Sequence, residues 1–165
     1  MSYDSIYSVK YKNKFDITFS IGVIHHLENP KKAVKHLVDL TKKGGTVLLW
    51  VYGDANGSLT IKGIKIIRQI TKHLPLPVVD IFAFLLTIPL YLFMKLIPQK
   101  HPYTKLLSSF RFWHMRSIIF DQLIPDIAHY WNKKEALDLF AGLPVSTKIY
   151  ATNANSWTIV AKKIN

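Results

Sequence analysis

The sequence predicts an α/β fold built on a parallel sheet. Three observations carry that prediction: a strand–helix–strand run from Phe15 to Gly53, a capped helix pattern from Asn132, and a hairpin pattern near the C-terminal end. In the first run, Phe15, Ile17, Phe19 and Ile21 alternate with Asp16, Thr18 and Ser20, the period of a strand. The strand runs from Phe15 to Ile24 in this reading and gives way, past Gly22, to the polar His25-His26 pair, so it ends at a chemically equipped loop. Asn29 can cap the next helix, Pro30 suits its first turn, and Ala33, Val34, Leu37 and Val38 form an apolar stripe. Lys42, Lys43 and Gly44 are expected to end that helix, since basic residues in a last turn followed by glycine are a stop signal. The uninterrupted apolar run Val47 to Val51 reads as a strand buried on both faces, and buried strands joined by a helical crossover make a parallel sheet.

After Gly53, the loop Asp54 to Gly57 leads into a basic amphipathic helix over Ser58 to His73. Ile61, Ile64, Ile67, Ile70 and Leu74 line one face, and Lys62, Lys65, Arg68 and Lys72 lie off it. An apolar run from Ile81 to Met94 follows, bounded by Asp80 and Lys95 and interrupted by Pro89. At about 14 residues it is short of the roughly 20 that a spanning helix needs. Three fates are open: a helical lid or core pair, which the short run favours, an interfacial membrane anchor, or a true span. Further on, Asn132 and Glu135 form a capping-box-like start for the helix Ala136 to Phe140, and Gly142 follows it. Tyr150, Thr152, Trp157, Ile159 and Val160 lie in two strand-like runs joined through Asn153, Ala154 and Asn155, a hairpin that closes the sheet.

With 165 residues, 49% of them hydrophobic and 19% charged, the chain can bury one core and is not disordered. It has no cysteine, which excludes disulfides and thiolate metal sites and permits a reducing compartment. The first residues, MSYDSIYSVK, lack an apolar h-region, so no signal peptide is expected and the cytoplasm is the default location. The formal charge of +12 comes from lysines scattered along the whole chain, which suits a solvated surface better than a nucleic-acid groove. No stacked-aromatic pattern of an RNA-recognition module is present, and nucleic acid is not the expected partner.

The succession FD, a small residue, VIHHLENP, a helix, KKGG and LLWVYG resembles the second half of class I S-adenosylmethionine-dependent methyltransferases, around their fourth and fifth strands. Asn132 to Gly142 is similar to that family's last helix and Ile149 to Lys162 to its closing hairpin. The resemblance implies a partial Rossmann-like sheet, with strands equivalent to the fourth to seventh. It also implies a single partial domain over residues 1–165, with residues 54–130 inserted as a helical lid. The family's first strand ends in a GxGxG turn that lets the backbone approach the cofactor, and a later acidic residue binds the ribose. Neither has a counterpart in these 165 residues. The expectation is a C-terminal portion of a larger enzyme, or a remnant that needs a partner. In the family the first strand lies beside the equivalent of Phe15 to Ile24, so its absence would leave an apolar sheet edge open to a homodimer or another chain.

By the same resemblance the activity is methyl transfer from S-adenosylmethionine to a small or lipophilic acceptor, such as a quinone precursor or a lipid. Methyl transfer needs two positioned reactants and at most a base for the acceptor's proton. His25 follows a strand whose carboxyl end borders the crevice of an open α/β sheet, which makes it the first candidate base, with Tyr52 at the end of the next strand as the second. The structural alternatives are a helix-capping imidazole and a strand-end aromatic. Asp4, Ser20, Gly22 and His25 fall on the cofactor side, Asp4 standing where an acidic residue meets the adenine ring. Arg116, Asp121, His129 and Tyr130 are implied to line the acceptor pocket, the competing reading being an Arg116–Asp121 pair that ties the lid to the body. No metal site is expected, because adjacent histidines usually point their rings apart and no carboxylate–histidine spacing completes a set. Two non-enzymatic readings accompany this one: a degenerate half that acts as an interaction module, and a peripheral membrane-binding protein that is cytoplasmic and membrane-associated. The chain alone is expected to bind the cofactor very weakly or not at all.

Overall fold

The computed structural model describes residues 5–54, 59–100, 102–153 and 155–164, and the chain divides into two compact units, Met1–Asn56 with Ile127–Asn165 and Gly57–Asp126. The first unit holds a sheet in the order β1-β2-β4-β3, formed by β1 (Phe15–Ile21), β2 (Thr41–Tyr52), β3 (Val145–Thr152) and β4 (Ser156–Lys163). β1 and β2 are parallel, joined by helix α1 (Pro30–Leu40), while β4 runs antiparallel to both β2 and β3. The mixed α/β class and the closing hairpin are thus as the sequence predicts. Ala154, expected in the hairpin turn, lies outside the described residues.

The core of this unit forms on one face of the sheet. Val47, Leu49 and Val51 of β2 and Ile159 and Ala161 of β4 pack against Ala33, Val34, Leu37 and Val38 of α1 and Ala136 of α6 (Lys133–Asp138). Both helices start where the sequence places their caps: the Asn29 side chain accepts from Lys32 N at 3.0 Å, and Asn132 and Glu135 make a reciprocal capping box. Lys163 ties the far end of β4 to the end of α1, donating to the carbonyls of Val38 and Thr41 at 2.8 and 2.9 Å and to Asn13 Oδ1 at 2.8 Å.

Three boundaries differ from expectation. β1 stops at Ile21, and Ile24–His26 form a short 3-10 turn in place of the strand's end. Helix α1 stops at Leu40, before the lysine pair: Thr41 turns to an extended conformation, and its hydroxyl donates to Leu37 O and meets the Thr18 hydroxyl, each at 2.7 Å. Lys42 and Lys43 belong to the first part of β2, where the pairing slips between Phe15 and Ile17 and Gly44 takes φ +75°. At Gly45 a Cβ would come within 2.7 Å of the Asp16 carbonyl, so the slip needs glycine there.

The β2 run is not buried on both faces. Val47, Leu49 and Val51 are buried, but Leu48 and Trp50 are only half-buried. Their neighbours on β1 are more open still: Ile17, Phe19 and Ile21 are 65, 66 and 57% exposed, while Thr18 and Ser20 face inward. The alternation in β1 is therefore a strand period whose apolar set lies on the face away from α1.

The second unit consists of α2 (Leu59–Thr71), α3 (Leu76–Leu96), α4 (Pro102–Ser109) and α5 (Phe112–Leu123). α3 packs against α5 through Val79, Ala83 and Leu123, with Ile119 and Phe120, and further along through Met94 and Met115, where Leu107 of α4 joins. Two expectations are corrected here. Arg68 is buried, because its guanidinium donates to the Gln122 carbonyl at 2.7 and 2.9 Å, a carbonyl in the last turn of α5 that has no helical donor of its own. Ile70, grouped by its spacing with Ile61, Ile64, Ile67 and Leu74 on one apolar face, is exposed. The apolar helix is also longer than the run Ile81 to Met94 suggests: α3 continues for 21 residues through Asp80, Pro89 and Lys95.

Candidate functional site

The carboxyl ends of β1 and β2 lie side by side because the strands are parallel, and the 3-10 turn after β1 and the end of β2 place His25 over Tyr52. The two rings stack with centroids 3.7 Å apart at 24°, and Tyr130 stacks with Tyr52 at 5.4 Å and 17°. Trp50 meets both His25 and Tyr52 edge-on, at 6.0 and 5.7 Å.

Residues 127–131 are laced to this corner by backbone bonds. His129 N donates to His25 O at 2.8 Å, Trp131 N to Tyr52 O at 3.2 Å, and Asp54 N to Trp131 O at 2.9 Å. Side chains add to the lacing: His26 Nδ1 lies 2.8 Å from the Ile127 carbonyl, His129 Nε2 3.1 Å from Leu27 O, and Trp157 Nε1 donates to Trp131 O at 2.8 Å. His129 and Trp131 stack with each other at 5.4 Å. Trp50 and Trp131 are absent from the sequence-based candidates, while His26 stands beside His25 there; the alternation Ile127, His129, Trp131 is the one signal that a strand-like segment docks here.

Electrostatically His25 is unusual. His25 is fully buried, and neither Nδ1 nor Nε2 has a hydrogen-bond partner. Burial, with His26 and His129 nearby as further potential cations, pushes its pKa from 6.5 down to about 3. The imidazole is therefore neutral at physiological pH. An orphaned polar ring costs stability, and such a group in a native core calls for an explanation.

The structure brings His25, Tyr52, His129 and Tyr130 together, with Gly22 beside Trp50. Ser20 is buried toward α1, and Gly22, with φ +76°, donates its N–H to Trp50 O at 3.3 Å. Asp4 lies outside the described residues. Arg116 and Asp121 lie on α5 in the helical unit. Arg116 pairs with Asp80 of α3, not with Asp121: residues five apart on a helix do not face each other, whereas α3 packs directly against α5. The His25 and His26 rings are not splayed apart, since the 3-10 turn brings their centroids to 4.3 Å. Among the described residues no group of three His, Asp or Glu is placed to hold a metal ion. A depression of about 350 Å3 beside Asn29, Lys32 and Leu139 includes none of the stacked residues.

For S-adenosylmethionine the fit is one-sided. Gly22 and the aromatic corner could border a ligand at the strand ends, yet no glycine-rich turn or ribose-binding acid is present in the sequence to hold its amino-acid and sugar ends.

Comparison with known proteins bears on the fold. Residues 5–49, which contain β1, the 3-10 turn, α1 and most of β2, match the family model of a methyltransferase domain. No curated protein sequence matches the chain. Among solved structures, a candidate exported protein from Bordetella parapertussis is 11% identical with a TM-score of 0.54, covering 98% of this chain and 43% of its own. A candidate methyltransferase from Bacillus halodurans and the YcgJ protein of Bacillus subtilis are each 10% identical with a TM-score of 0.51, covering 98% of this chain and 70% of theirs. The chain thus spans less than half the length of the Bordetella protein. In sequence over residues 5–49 and in fold, it resembles the class I S-adenosylmethionine-dependent methyltransferases.

Proposed function

We propose that this chain supplies the acceptor side of a methyl-transfer site, with S-adenosylmethionine as the methyl donor and a small or lipophilic molecule as acceptor. The observation that carries the reading is the His25–Tyr52–Tyr130 stack at the carboxyl ends of two parallel strands, within the segment that matches a methyltransferase domain. When bound, S-adenosylmethionine supplies an electrophilic methyl group on a sulfonium. The half-buried Tyr52 and Tyr130 contribute aromatic rings and hydroxyls to this corner, which suits a planar or lipophilic acceptor. His25 lies behind Tyr52 with no exposed surface, so its proposed role is to hold the tyrosine in place; it takes a proton only if acceptor binding opens the stack. His129 fixes the turn at Leu27 in the same way.

The grip on the cofactor's methionine and ribose comes, in this proposal, from another segment that pairs along β1, and the helical unit 57–126, which carries Arg116 and Asp121, acts as a lid. Ser20, Gly22 and Asp4 remain proposed cofactor-side positions. The site would work in the cytoplasm or at its membrane surface. The test is transfer of label from tritiated-methyl cofactor into an organic-extractable product: Tyr52→Phe should reduce transfer at least about tenfold if the hydroxyl contacts the acceptor. Unchanged transfer would remove Tyr52 from the site. Titration of the cofactor into this 165-residue chain alone should give no micromolar binding, and such binding would overturn the divided site.

The exposed Ile17, Phe19 and Ile21 favour a second reading, a non-catalytic methyltransferase-like half that acts as an interaction module through the β1 edge. A stable homodimer or specific heterodimer that is lost with paired Ile17→Lys and Phe19→Lys substitutions, and no methyl transfer, would support it.

A further inference from the structure

We propose that the helical unit Gly57–Asp126 docks on an anionic lipid bilayer through the outer face of α3, inserting into one leaflet without crossing it. α3 is 21 residues long and is long and apolar enough to cross a membrane by length and composition. Its inner face, Val79, Ala83, Thr87 and Met94, is buried. The opposite face repeats at helical spacing and is apolar throughout: Ile81, Leu85, Ile88, Leu92 and Leu96, with Ile81 60%, Leu85 55% and Leu96 76% exposed. A helix that is apolar all round has its place in a core or in lipid, and this one is covered on a single side. Its backbone is paired along the helix, so its outer face asks for an apolar medium and not for hydrogen bonds.

Charge identifies the medium. Residues 57–126 hold nine Lys and Arg against three Asp, a formal +6. Lys62, Lys72, Lys95, Lys100, Lys105 and Arg111 are exposed. The half-buried ion pair Asp80–Arg116 takes one acid and one base together, so the unit keeps its formal +6. Exposed basic residues in the same unit as an apolar helical face are the composition of an interfacial anchor, each cation near an anionic surface adding about 1 kcal/mol. Trp113, 65% exposed and 6.2 Å from Phe84 of α3, is the kind of amphipathic ring that sits at the headgroup boundary. A full span is disfavoured because α5, with His114, Arg116 and Asp121, packs along the inner side of α3 and would have to enter the hydrocarbon with it.

The proposal deepens the lipophilic-acceptor reading, but vesicle binding is read without cofactor or acceptor, so the two can fail separately. The experiment is flotation of the 165-residue chain with phosphatidylcholine vesicles that contain or lack phosphatidylglycerol. Flotation is expected with the anionic vesicles, weaker with the neutral ones and weaker again in high salt. Leu85→Glu and Leu92→Glu, checked for retained helicity, should each lower partitioning by about tenfold or more. As a reading that needs no such variant, brominated lipids should quench a tryptophan component that Trp113→Phe lacks. No flotation, flotation indifferent to both substitutions, or quenching unchanged by Trp113→Phe would overturn the proposal; so would a stable dimer that covers α3 and ignores vesicles.

Discussion

Replacing His25 with phenylalanine isolates the energetic cost of the buried imidazole. The phenyl ring keeps the stack on Tyr52 and deletes two buried nitrogens that have no partner. At neutral pH the outcome mixes relief of that penalty, about 1–3 kcal/mol per orphaned group, with an overpacking cost of similar size. The pH dependence separates them. His25 has a folded-state pKa of about 3 against 6.5 ordinarily, so between those values the unfolded chain binds a proton that the folded chain does not. Stability is therefore lost as pH falls through that window and is fully present above it. At pH 5 the unfolded imidazole is protonated about thirtyfold over neutral, which costs the wild type about 2 kcal/mol relative to pH 7. His25→Phe carries no such cost. Urea unfolding followed by near-ultraviolet dichroism at the two pH values should thus show the variant gaining about 2 kcal/mol on the wild type upon acidification, whatever its stability at neutrality. Parallel acid profiles for the two proteins would refute the burial argument.

Other contacts give sharper structural tests. Lys163→Met removes the ammonium's hydrogen bonds to the Val38 and Thr41 carbonyls and to Asn13 Oδ1 and should destabilise the sheet unit by about 2–4 kcal/mol, read from the urea midpoint at an unchanged slope. Asn132→Ala removes half of a reciprocal capping box and should cost about 1 kcal/mol, with Asn132→Asp nearly neutral in the same assay. Lys42, hydrogen-bonded to Asp16 at 2.9 and 3.0 Å, holds that carboxyl below its ordinary range, so Lys42→Ala should raise its titration midpoint by NMR. Added salt should mimic part of that change, because the pair is exposed and screened.

What could be read from the sequence was what is local. The Asn29 and Asn132 caps, the crossover helix and the closing hairpin each depend on a few neighbouring residues, and each is present. The facing of β1 is not local: alternation reports a period of two but not which side another layer covers, so Thr18 and Ser20 could turn inward beneath α1. α3 outruns its apolar run because Asp80, read as a boundary, is neutralised by Arg116 from a helix 36 residues away in sequence. The site divides the same way. His25 and Tyr52 were visible as strand-end groups, whereas the burial of His25 depends on the segment 127–131, about a hundred residues along the chain.

The two exposed apolar surfaces make different demands. β1 pairs only with β2 among the described strands, so its free edge carries N–H and C=O groups as well as Ile17, Phe19 and Ile21. Lipid cannot satisfy such an edge, since every unpaired backbone group in hydrocarbon costs several kcal/mol; only another strand supplies both the apolar cover and the hydrogen bonds. α3 is the converse case, with its backbone paired internally and its outer side chains wanting only an apolar medium. A β-strand partner at β1 and a bilayer at α3 are therefore separate occupants. Detergent distinguishes them: micelles should mask α3, abolish flotation and leave β1 association intact, while paired Ile17→Lys and Phe19→Lys substitutions should do the reverse. If one treatment removed both behaviours, a single partner would be covering both surfaces and the separation would be wrong.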